Sequence, residues 1–218
     1  LTDANIVTAL DISDSMMRHE EWIELDGLIR AVAHPALIAA IGAGRHGRVG
    51  FAAFSWASDG DFQVVVPWTA LGSSRDAERI ANMLGKMPRR GADNDSDAHA
   101  RSPDRMTDIS AAIRFGLELL AAAPFRTDRL VINVCGNGID NVGEEPERAR
   151  ELAISLGVVI NGVVVGSDPK LATYYQERVI SGAGSFALQA QQPAALTNIM
   201  LKKLLLDLLA GAGESLRG

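Results

Sequence analysis

The sequence predicts an α/β domain in three layers: a mainly parallel sheet of about six strands with one antiparallel hairpin edge, and helices on both faces. Three observations carry that expectation. Short β-branched runs alternate with longer stretches of helical period along most of the chain. Two adjacent strand-like runs are separated only by turn residues, which makes one hairpin. Residues 158–165 are almost continuously apolar, as a strand covered on both faces must be.

Each element has its own justification. Residues 5–10 (NIVTAL) form a short apolar strand that delivers Asp11 at its tip. Residues 20–32 carry Trp22, Ile23, Leu25, Leu28, Ile29 and Val32 at helical spacing and stop near His34-Pro35. Residues 36–41 make a second, short helical piece, ended by Gly42-Ala43-Gly44. Residues 48–56 and 62–68 are the hairpin strands, flanking Ser58-Asp59-Gly60-Asp61. Residues 74–84 are helical, with Ser73 or Ser74 as N-cap and Asp76 and Glu78 in the positive first turn. Residues 89–106, polar and nearly free of large apolar side chains, read as a mobile loop. Residues 108–122 place Ile109, Ile113, Leu117 and Leu120 on one side of a helix. Strand 130–134 runs into the turn Gly136-Asn137-Gly138, and helix 144–156 has Pro146 in its first turn. After strand 158–165 come a helical segment at 171–179 and a short strand at 185–188. The last element is an amphipathic helix at 194–210, its apolar run interrupted by Lys202, Lys203 and Asp207. Without an internal repeat or a linker-like shift in composition, residues 1–218 read as a single domain.

Composition excludes several classes. At 47% apolar and 22% charged, the chain is not a disordered one. A net charge of −6 with no cluster of Lys or Arg argues against a nucleic-acid or anionic-membrane surface. The single Cys135 cannot form an internal disulfide, and His19, His34, His46 and His99 show no zinc spacing. No stretch reaches the roughly 18 apolar residues that span a bilayer.

In a parallel sheet, ligands bind beyond the carboxyl ends of the strands, so the strand tips are where chemistry is expected. The first tip reads Asp11-Ile12-Ser13-Asp14-Ser15. A carboxylate and two hydroxyls at alternate positions of a tight loop turn their oxygens to one side. Hard oxygen donors of that kind suit Mg²⁺ or Mn²⁺ better than zinc. Taken alone, the same string fits a Ser/Asp-rich cap for the next helix equally well.

With Met106-Thr107-Asp108-Ile109 ahead of a helix and Val134-Cys135-Gly136-Asn137-Gly138 after the fourth strand, the chain resembles the von Willebrand factor type A (vWA) domain. The resemblance implies a three-layer, Rossmann-like vWA fold. It also implies a metal-ion-dependent adhesion site (MIDAS) made by Asp11, Ser13, Ser15, Thr107 and Asn137. Six stretches bring it closer to an uncharacterised bacterial subfamily of these domains. They are HPALIAAI (34–41), HGRVGFAAFSW (46–56), VVVPWT (64–69), GNGIDNVG (136–143), GVVINGVVVG (157–166) and YYQERVISGAGSF (174–186). Members of that subfamily are commonly exported, so a periplasmic or secreted location is expected, with the cytoplasm as the alternative. A start at Leu1 rather than Met fits a removed signal peptide.

Two departures matter. Asp14 stands where the pattern has Gly, and Asn137 where it has Asp. Asn keeps an oxygen donor but removes a negative charge, so binding of Mg²⁺, or of Mn²⁺ or Ca²⁺, is expected to be weakened. Asp14, Asp108 and Asp140 lie nearby in sequence and can supply field without direct contact.

The function the resemblance implies is a non-enzymatic protein-binding or adhesion-type module. Its cation would capture an Asp or Glu carboxylate from a protein or peptide partner, with no catalytic residue. The alternative from another class is a metal-dependent hydrolase or phosphotransferase using the ion as Lewis acid. That needs a general base, and no His or Glu lies in the strand-tip loops that carry the motif. A scaffold with a degenerate metal site is the third reading.

Other features are weaker. Asp93-Asn94-Asp95-Ser96-Asp97 opens like a calcium loop, but Ala98 stands where a sharp turn needs Gly and Asp104 where a bidentate Glu belongs. Gly136-Asn137-Gly138 lacks the third glycine of a dinucleotide fingerprint. Cys135 reads as a small packing residue, and Tyr174 and Tyr175 as core or rim aromatics. Trp56 reads the same way unless it is exposed, when it would be a binding anchor.

Overall fold

The strand β1 (Asn5–Asp11) is buried at every position because it lies inside a six-stranded sheet. In this computed structural model, residues 1–13, 18–58, 60–87 and 106–209 are described. The other strands are β2 (Val49–Trp56), β3 (Phe62–Leu71), β4 (Leu130–Gly136), β5 (Val158–Val165) and β6 (Ala187–Ala190). Their order across the sheet is β3-β2-β1-β4-β5-β6. All pairs are parallel except the β2–β3 hairpin. From β1 the chain builds outward on one side through β2 and β3, then crosses back to build β4, β5 and β6 on the other. The strands β1 and β4 therefore meet where the winding reverses, and a crevice opens beyond their carboxyl ends.

Side-chain alternation divides the core in two. Ile6, Leu10, Phe51, Val131 and Val163 face a layer made by α1 (Arg18–Val32), α2 (Pro35–Gly42), α3 (Ser74–Leu84) and α7 (Leu196–Leu209). Val7, Ala9, Phe54, Ile132, Val134 and Ile160 face α4 (Ile109–Ala121), α5 (Pro146–Ser155) and the segment after α6 (Pro169–Tyr174). Among the described residues, no single helix is long and apolar enough to cross a membrane. The bent pair Ile23–Val32 and Pro35–Gly42 matches by length and composition, but it buries Leu25, Leu28, Leu37 and Ile41 in the core.

Three elements differ from the sequence expectation. The helix expected at 171–179 starts at Pro169, capped by Asp168, and passes into a π turn over Tyr175–Val179. The last strand lies at Ala187–Ala190 rather than 185–188, because Gly182 and Gly184, at φ of +93° and +73°, first turn the chain. In α7, Lys203 and Asp207 do not interrupt the apolar face from outside; both are buried within it. Asp207 accepts from Asn133 on β4 at 3.1 Å and from Asn161 on β5 at 2.9 Å, and pairs with Lys203 at 2.8 Å. The loop expected at 89–106 lies outside the described residues except for Met106. The calcium-like run from Asp93 to Asp104 lies outside them entirely.

Candidate metal centre

Asp11 ends β1. Its neighbour Leu10 pairs with Cys135, so Asp11 stands one step further on, beside Gly136 at the end of β4. The carboxylate is buried, and its Oδ1 accepts from the Ser13 backbone N–H at 2.7 Å, which folds the loop back over the strand end. Ser13 is itself buried, and its hydroxyl meets the Thr107 hydroxyl at 3.3 Å. Thr107, in the segment before α4, is buried too. Three of the five expected ligands thus converge from two distant segments. Asn137 follows β4 directly and is half-buried. Its loop approaches closely, since a Cβ on Gly136 would lie 2.7 Å from Asp11 Oδ2. Only glycine permits that approach. Ser15 and Asp14 lie outside the described residues.

Residues not singled out from the sequence hold Thr107 in place. Its N–H donates to Asn141 Oδ1 at 2.9 Å, and the Asn141 N–H donates back to the Thr107 carbonyl at 3.0 Å. Ser58, beyond β2, accepts from the Met106 N–H at 2.8 Å through its hydroxyl and donates its own N–H to the Met106 carbonyl at 2.9 Å. Short polar side chains in turns commonly make such backbone bonds, but their partners lie far away in sequence. Asp108 caps α4 through Ala111, and Asp140 accepts from the Ile109 N–H. Burial pushes the Asp140 carboxyl up to about 6; the Ile109 bond opposes this, and Asp108 and Glu145 add to it. Beside it, burial and then the Asp140 charge push the Tyr174 phenol up to about 12.

Among the described residues the donor set is one carboxylate, two hydroxyls and, next to them, an amide. Hard oxygens of this kind fit Mg²⁺ or Mn²⁺. Among the described residues no group of three His, Cys, Asp or Glu is placed to hold an ion. Any ion here depends on the hydroxyls. Trp56 is fully buried, which removes the reading of it as an exposed anchor. Cys135 is buried in the core, where burial raises its thiol far above the ordinary value. His34 caps α2, while the side chain of His19 and all of His99 lie outside the described residues.

A family model described as a protein of unknown function, DUF1194, matches residues 1–212. The chain belongs to the DUF1194 family. No curated protein matches it significantly. Among solved structures it is similar to proximal thread matrix protein 1 of the mussel byssus with a zinc-occupied MIDAS motif. That match has a TM-score of 0.61 and 16% identity over 96% of this chain and 48% of the other. A von Willebrand factor type A protein from Catenulispora acidiphila matches at TM-score 0.66 and 13% identity, over 95% and 43%. The pilus adhesin SpaC of Lactobacillus rhamnosus GG matches at 0.63 and 12%, over 95% and 31%. The DUF1194 chain therefore has a vWA-like fold and spans half or less of these chains.

Proposed function

We propose that this DUF1194 chain is a non-enzymatic binding module whose apex holds a divalent cation and captures a partner's carboxylate. The observation that carries the reading is the convergence of Asp11, Ser13 and Thr107 oxygens, buried, at the carboxyl end of β1. Asp11, Ser13 and Thr107 would hold the ion, with Ser15 and Asn137 from the adjoining loops. Hydroxyl ligands are neutral, so a bound cation keeps most of its charge for an external anion. The likeness to an adhesin and to a structure with an occupied MIDAS supports this use of the site.

A groove of about 410 Å³ flanks the apex, lined by Ile139, Lys170, Thr173, Tyr174, Glu177 and Arg178 among others. Its size is that of a small-ligand or side-chain pocket. Lys170 stands there beside Glu177, and Arg178 is paired with Glu147, so capture of a carboxylate rests on the cation at the apex rather than on the groove's own charge.

The test is capture of a fluorescent oligoglutamate peptide by the immobilised chain, with oligoglutamine as the control. Retention of oligoglutamate alone, lost in EDTA and in Ser13→Ala, is expected. Equal retention of both peptides, or retention that survives EDTA, contradicts the reading.

A further inference from the structure

Tyr175 lies in a slot cut by two glycines. A Cβ on Gly162 would come within 2.9 Å of its ring at Cδ1, and a Cβ on Gly136 within 2.9 Å of its hydroxyl. Gly136 pairs with Val164 and Gly162 with Val134, so both glycines present the same face of adjacent strands. The ring therefore runs across β5 to β4 and carries its hydroxyl to the carboxyl end of the sheet. That same Cβ position on Gly136 is 2.7 Å from Asp11 Oδ2. Two oxygens this close to a single point lie within the reach of one bridging water.

Tyr175 is fully buried, and among the described residues its hydroxyl has no hydrogen-bond partner. Buried polar groups are nearly always partnered, so this orphan calls for an explanation. The residue opens the π turn Tyr175–Val179, a geometry that re-aims side chains and is frequent at functional sites. Burial, and after it the Asp11 charge, hold the phenol well above its ordinary value, so it is a donor at neutral pH.

We propose that Tyr175 is a positioning residue of the metal centre, its hydroxyl donating through one buried water to Asp11 and fixing the carboxylate that faces the ion. The inference rests on the proposed cation site. It assigns to the π turn the job of aiming a donor from behind the ligand loop, where outer-shell partners orient metal-bound groups.

Tyr175→Phe deletes the hydroxyl and leaves the ring. The expected result is Mg²⁺ binding weakened about tenfold by calorimetry. The melting temperature of the metal-free protein should change little, because the ring stays packed and the bridging water keeps Asp11 as a partner. In addition, the Raman doublet of tyrosine should change on Mg²⁺ addition in the wild type and not in Tyr175→Phe. Equal Mg²⁺ affinity in the two proteins overturns this inference alone. A lowered metal-free melting temperature with unchanged affinity also overturns it, leaving Tyr175 a packing residue. A wild type with no Mg²⁺ response overturns both this inference and the cation site on which it rests.

Discussion

Asp140 places negative charge near Asp11, Ser13 and Thr107 without joining them. Its carboxylate caps α4 beside Asp108 and Glu145, and burial raises it to about 6 from an ordinary 3.8. A folded pKa above the unfolded one means that the folded state binds the proton more tightly. The resulting stabilisation is complete below about pH 4 and is lost as pH rises through 6. Relative to Asp140→Asn, the wild type in EDTA should lose on the order of 1 kcal/mol between pH 4 and 6.5, once screening of this half-exposed group is counted. Urea denaturation of both proteins across that range checks this, and a constant difference contradicts it. Gly136 carries a second consequence at this scale. In Gly136→Ala the new methyl would meet Asp11 Oδ2 at 2.7 Å and the Tyr175 hydroxyl at 2.9 Å. Overpacking of this kind costs about 1–3 kcal/mol, so the urea midpoint should fall. An unchanged midpoint would place the ring and carboxylate elsewhere.

The elements are held by one polar device as well as by apolar packing. Asp207 on α7 joins Lys203 to Asn133 and Asn161 on two neighbouring strands, all in the core, and burial raises its carboxyl. Asp207→Ala leaves the Lys203 charge and two amides without an acceptor, at a cost of about 3–5 kcal/mol. Lys203→Met with Asp207→Leu should recover part of that loss, the rest being the unpaired Asn133 and Asn161. Urea denaturation of the three proteins decides it; a double variant no better than Asp207→Ala contradicts the account. This device was illegible in sequence. A Lys and an Asp four residues apart on a helix look like a solvated pair, and only the long-range partners Asn133 and Asn161 show otherwise. The same limit hid Ser58 and Asn141, whose bonds to the Thr107 segment span the sheet. Asp11 and Ser13 were legible because alternation at a strand tip is local. Thr107 and Asn137 are legible only through order and family pattern, and Tyr175 reads as an ordinary aromatic because its glycine slot is cut across two strands.

For the whole molecule, the winding that reverses between β1 and β4 creates the crevice, and the two hairpin strands extend the sheet away from it. That architecture follows from alternating periods, and the sequence expectation matches it in strand number, order of elements and the single antiparallel edge. A ligand bound only by the folded chain must raise its melting temperature by mass action, so Mg²⁺ should shift the transition upward with concentration. Scanning calorimetry with MgCl₂ against matched ionic strength checks this, and identical curves contradict it. The most direct measurement is a calorimetric Mg²⁺ titration of the wild type, Ser13→Ala and Asn137→Asp. Measurable binding is expected in the wild type and none in Ser13→Ala. Asn137→Asp should bind at least about tenfold more tightly, or about 1.4 kcal/mol, because it restores a carboxylate beside the ion. No binding heat in any of the three, or the same affinity in all of them, would contradict a cation site at Asp11, Ser13 and Thr107.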